Sequence, residues 1–139
     1  MRVFIDVNVP MYAAGGESSY KTPCQQVLRA VAVGEIEGVT DAEALQEILY
    51  RYSLIGKREQ ARKVFDAFRR ALGAILPITE QDVLLARYLH EMYDIRPRDL
   101  VHAAVMLNAG ITEICSADAD FDRIEGIHRI DPRKYGIEG

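Results

Sequence analysis

Short apolar runs alternate with longer stretches of helical spacing along the whole chain, and this alternation limits the fold more than any other feature. The runs are 2–6, 38–40, 74–78, 112–116 and 126–130, rich in Val, Ile, Phe and Thr, and they read as short strands. Between them apolar residues recur three and four apart. Val27, Leu28 and Val31, with Ala30, mark a helix over 20–33. Leu45, Ile48, Leu49 and Tyr52 mark another that runs to about residue 55. Thr40 with Glu43 three residues on has the form of a capping box opening that second helix. Further helices are expected over about 57–72, from Thr79 to about Tyr93, and over 98–108. The last is apolar around most of its circumference, as a helix packed on both sides should be.

Strands that alternate with helices form a parallel sheet covered on both faces. The expected architecture is a three-layer α/β/α sandwich with about five short strands. No repeat, low-complexity tract or Pro/Gly/Ser-rich linker divides residues 1–139, so one domain is expected. In open sheets of this kind ligands bind beyond the carboxyl ends of the strands, where strand order reverses.

Composition narrows the function. Hydrophobic residues make up 49% and charged residues 27%, which excludes a disordered chain. No apolar run approaches the roughly 20 residues that span a bilayer, and the N-terminal segment lacks the pattern of a signal peptide. A cytoplasmic protein without a membrane partner is expected. Cys24 and Cys115 sit among apolar neighbours and read as free, buried thiols. A net charge of −4 argues at first against a nucleic-acid partner. A divalent cation held by some of those carboxylates would reverse the local field where a phosphate sits.

Four carboxylates occupy equivalent points of the topology. Asp6 ends the first strand, Asp118 follows the fourth, Asp99 opens the apolar helix, and Glu47 lies just past the first turn of the helix after the second strand. Each has an ordinary structural use. Asp6 and Asp118 suit turns, Asp99 answers a helix dipole, and Glu47 can pair with Arg51 four residues on. Jointly they read as a cation site, because clustered carboxylates repel unless neutralised. Oxygen donors of this type suit Mg²⁺ or Mn²⁺.

FIDVN at 4–8, EILYRY at 47–52, RDLVHAA at 98–104 and SADADF at 116–121 occur in the order of the PIN-domain family, and over nearly its whole length the chain resembles that family. Its layout is most similar to the VapC-type toxins of toxin–antitoxin pairs. The resemblance implies a PIN-like fold and a metal-dependent endoribonuclease acting on single-stranded RNA. It also implies a homodimer held inactive by a small antitoxin protein. By position, Asp6, Glu47, Asp99 and Asp118 match the family's catalytic and metal-binding acids, Asp120 a common accessory ligand, and Asn8 and Ser116 supporting polar residues. Val7 departs from the family's usual hydroxyl residue. Glu43 and Glu47 lie on about one helix face, and the choice between them stays open here.

Other readings rank lower. A phosphatase-like domain calls for a second aspartate where Asn8 stands, and a receiver domain for paired acids and a late lysine. A non-catalytic module of the same fold is the stronger rival. His102, three residues past Asp99, reads as a satisfied near-site histidine rather than a ligand. The basic face Arg58, Arg62, Lys63, Arg69 and Arg70 reads as a solvated helix side. The segment 45–72 is the expected docking surface for a partner helix.

Overall fold

A computed structural model describes residues 1–135. Five parallel strands, β1 (Arg2–Ile5), β2 (Glu37–Asp41), β3 (Ala74–Leu76), β4 (Glu113–Cys115) and β5 (His128–Ile130), form one sheet in the order β3-β2-β1-β4-β5. Six helices connect them: α1 (Asn8–Ala14), α2 (Lys21–Ala32), α3 (Ala42–Leu54), α4 (Arg58–Ala71), α5 (Glu80–Met92) and α6 (Pro97–Asn108). This is the α/β/α layering expected from the alternation.

The period of two along β1 divides the core. Phe4 points into the layer of α5 and α6, with Val39, Leu100, Ala103 and Ile114. Ile5 points into the opposite layer with Val27, Ile48, Val64 and Phe68. Both cysteines are buried and free. Gly38 is required by packing: a Cβ there would stand 2.7 Å from a Val31 methyl, so α2 could not lie this close to β2. Gly110 ends α6 at φ +73, a conformation that other residues adopt at a cost.

Two local expectations change. The short α1 was not foreseen, because its turn begins straight after Asp6 and carries Pro10, which a first helical turn tolerates. The cap of α3 is Asp41, whose Oδ1 accepts from Ala44 N at 2.9 Å; Thr40 is still in β2, and its hydroxyl donates to Ile5 O across the sheet. Strand pairing thus keeps Thr40 from the capping role, and Glu43 turns instead to Arg98, 3.7 Å away. The expected capping geometry does occur at α5, where Thr79 and Asp82 cap each other.

Candidate active site

Strand order reverses between β1 and β4, which pair directly. Asp6 leaves β1 at that point, and its backbone N–H donates to Cys115 O at 3.0 Å. Its Oδ1 accepts from Val7 N at 2.7 Å, and its Oδ2 accepts from Ser116 Oγ at 2.6 Å and Asn8 Nδ2 at 3.1 Å. Ser116 Oγ also accepts from Asp118 N at 3.0 Å, and Asn8 Oδ1 accepts from Ala117 N at 3.2 Å. Asn8 and Ser116 therefore tie the end of β1 to the loop after β4. Burial raises the Asp6 carboxyl above its ordinary range, against the lowering influence of His102 and Ser116.

Asp99 and Asp118 complete this rim. Asp99 is buried in the first turn of α6, and its pKa is raised to about 6, first by burial and then by the charge of Asp6, with Asp118 adding to it. The rim acids thus lie within electrostatic reach of each other. Arg96, at the N-cap of α6, spans two of them: Nη2 lies 2.9 Å from Asp118 Oδ2 and 3.0 Å from Asp99 Oδ2. Asp118 Oδ1 accepts from Asp120 N at 2.9 Å, whereas the Asp120 carboxylate lies at the margin, 3.7 Å from Arg123.

A second cluster lies beneath the rim. His102 is completely buried, with Nδ1 2.7 Å from Asp41 Oδ2. Its Nε2 has no hydrogen-bond partner and sits 4.0 Å from Glu47 Oε1. Burial disfavours the imidazolium, but Asp41, Glu47 and Asp6 together outweigh it and raise its pKa to about 10. Glu47 is buried and also held by Arg98 at 3.2 Å and Arg51 at 3.3 Å. Burial alone would raise its carboxyl; His102 and Arg98 bring it below the ordinary value instead. The i, i+4 pair with Arg51 and a place near the site are both real. Glu47 and Asp99 line one cavity of about 350 Å³ with Arg96, Pro97 and Arg98.

Among the described residues no three His, Cys, Asp or Glu side chains stand close enough together to hold a metal ion. Asp99 and Asp118 turn toward Arg96, and Asp6 toward Ser116 and Asn8. The rim still fits a hard divalent cation in its chemistry. Asp6, Asp99 and Asp118 offer oxygen donors from three chain segments, burial and then the charges of Asp6 and Asp118 raise Asp99, and a guanidinium already stands as a cation between Asp99 and Asp118. Sequence reasoning missed Arg96 and Asp41. Arg96 had a weak signal three residues before Asp99, while Asp41 was hidden by the stronger pattern of Thr40 with Glu43.

A parallel sheet with acids gathered at its switch point defines a class. The PIN domain matches residues 3–127, and the chain belongs to that family. A VapC ribonuclease of Mycobacterium bovis is 39% identical over 129 residues, 92% of this chain and 98% of that protein. Ribonuclease VapC23 of Mycobacterium tuberculosis is 34% identical over 84% of this chain and 92% of its own length. Among solved structures, a VapBC2 chain from Rickettsia felis, bound to a promoter DNA fragment, superposes with a TM-score of 0.74 at 18% identity, covering 94% of this chain and 98% of that one. No helix of the described residues is long and apolar enough to cross a membrane.

Proposed function

We propose that this chain is a metal-dependent endoribonuclease that hydrolyses single-stranded RNA as the toxin of a toxin–antitoxin pair. One observation carries the reading: Asp6, Asp99 and Asp118 lie within electrostatic reach of each other at the switch point, and Arg96 bridges Asp99 and Asp118. Relatives that are called VapC ribonucleases support the substrate class. Asp6, Asp99 and Asp118 would hold Mg²⁺ or Mn²⁺, with Asp120 at the edge of the site. A cation bound there supplies water activation and charge stabilisation for phosphodiester hydrolysis. Ser116 and Asn8 hold the Asp6 carboxylate in place, and Glu47 keeps a negative wall on the cavity beside Asp99. This chemistry takes place in the cytoplasm.

An antitoxin belongs to the same reading, supported by a solved structure of this fold from Klebsiella pneumoniae described as a toxin–antitoxin complex. A mostly apolar groove of about 540 Å³ runs between α1, α2 and α4, with Pro10, Leu28, Val64 and Phe68 along it. It suits one apolar helix face of the antitoxin. Only its α4 wall lies in the segment 45–72 expected for docking. A homodimer is the other association proposed, through the exposed stripe Leu84, Tyr88 and Met92 on α5.

The deciding experiment incubates purified protein with single-stranded RNA in Mg²⁺, Mn²⁺ or EDTA. Cleavage that needs the cation and disappears in Asp6→Asn is expected. Full activity in Asp6→Asn, freed of contaminating nuclease, would sink the mechanism. A wild type that binds no divalent cation and cleaves no RNA would favour the non-catalytic module instead, whereas metal binding lost on Asp6→Asn speaks against it.

A further inference from the structure

Arg96 occupies the oxygens that the cation would need. Its Nε and Nη2 lie 3.1 and 3.0 Å from Asp99 Oδ2, and Nη2 also reaches Asp118 Oδ2 at 2.9 Å. Both carboxylates are mostly shielded, yet the arginine side chain is 71% exposed. A divalent ion ligated at the same atoms would sit about 2 Å from each oxygen, within a few ångströms of the guanidinium. Two positive centres at that separation repel, and both claim the same lone pairs. The guanidinium and the cation therefore compete.

The local fold lets the side chain yield without disturbing the helix. Arg96 is the N-cap, and Pro97 fixes the first helical position behind it. Asp99 and Leu100 are buried and anchor the first turn. Only the exposed side chain has to move. A displaced guanidinium stays at the mouth of the cavity lined by Glu47, Pro97, Arg98 and Asp99. The neighbouring Arg98 is committed to Glu47 at 3.2 Å and Glu43 at 3.7 Å, which leaves Arg96 as the nearby arginine whose partners a cation would take.

We infer that Arg96 has two positions. In one it neutralises Asp99 and Asp118. In the other, once a divalent cation takes those oxygens, it holds a phosphate of the RNA beside the scissile bond through its planar fork. The inference rests on the nuclease reading and adds the residue that couples cation binding to substrate binding.

Calorimetric titration with Mn²⁺ and steady-state RNA cleavage, on wild type, Arg96→Gln and Arg96→Lys, test it. Arg96→Gln should bind Mn²⁺ several-fold more tightly, because a competing charge is gone. Its KM for RNA should rise several-fold with kcat changed much less. Arg96→Lys should bind Mn²⁺ nearly as the wild type does and still show a raised KM, since it keeps the charge and loses the fork. Unchanged or weaker Mn²⁺ binding in Arg96→Gln, with a native circular dichroism spectrum, overturns the competition. Tighter Mn²⁺ binding with an unchanged KM overturns the phosphate role. A wild type that neither binds Mn²⁺ nor cleaves RNA brings down the nuclease reading itself, and that result differs from both.

Discussion

Two acidic clusters stand side by side at the carboxyl end of the sheet, and they are balanced differently. The inner one sets Asp41 and Glu47 around a buried imidazole, with Arg98 and Arg51 closing over Glu47. Its charges are matched within the chain. The rim sets Asp99 and Asp118 around one exposed arginine, with Asp6 near enough for its charge to act on Asp99. There, burial first holds Asp6 and Asp99 above their ordinary values, with the charges of Asp6 and Asp118 adding to the rise at Asp99, whereas Glu47 lies below its own. A carboxylate cluster satisfied from within serves the fold. One left short of positive charge is where an external cation gains most.

The sharpest way to break this contrast is to neutralise one acid on the rim. Asp6→Asn should lose RNA cleavage to the assay background and weaken Mn²⁺ binding, with little change in thermal midpoint. Retained Mn²⁺ affinity would show that the rim is as self-sufficient as the inner cluster.

Removing the inner cation should act on stability instead. His102→Gln leaves Asp41 and Glu47 buried with less compensation, at a cost of about 3 kcal/mol in urea denaturation. The histidine's pKa is raised in the folded protein, so its contribution is full below about 6.5, its unfolded value. That contribution is lost as pH rises toward about 10. The gap between wild type and His102→Gln should therefore narrow from pH 7 to pH 10. A constant gap means that the imidazole acts by packing alone.

Asp99→Asn should give the opposite sign. Its folded pKa of about 6 lies above the unfolded value, so ionising it costs stability as pH rises between the two. At neutral pH the neutral amide should stabilise the cation-free protein by on the order of 1–2 kcal/mol while abolishing cleavage. Destabilisation would mean that the Arg96 pair outweighs the repulsion, and the rim would then resemble the inner cluster.

The smallest effect serves as a control outside both. Asp82 caps α5 and also accepts from Asn108 at 2.9 Å; burial opposes its charge, but these bonds bring its carboxyl below the ordinary value. Asp82→Ala should cost about 1 kcal/mol with cleavage unchanged. This stabilisation is present above the usual aspartate pKa and fades as pH falls through the folded one. A loss of cleavage here would show that damage to α5 reaches the rim, and that the activity losses above need not be local.

The alternation of strand and helix, the parallel sheet and the placement of Asp6, Asp99 and Asp118 at its carboxyl end were all legible in the chain, because periodicity and element boundaries are local properties. Asn8 and Ser116 were legible too, through short motifs. Pairing decided the rest. Whether Thr40 caps a helix or belongs to a strand depends on β2 lying beside β1, and that neighbour left the cap to Asp41. Whether His102 is satisfied depends on Asp41, 61 residues away in sequence, and on Glu47, which also lies far from it along the chain. Charge balance is a sum over residues that only folding brings together. The sequence alone could therefore name the rim acids and Glu47 but not Asp41, and only the tertiary structure could show which of these acids find matching charge within the chain.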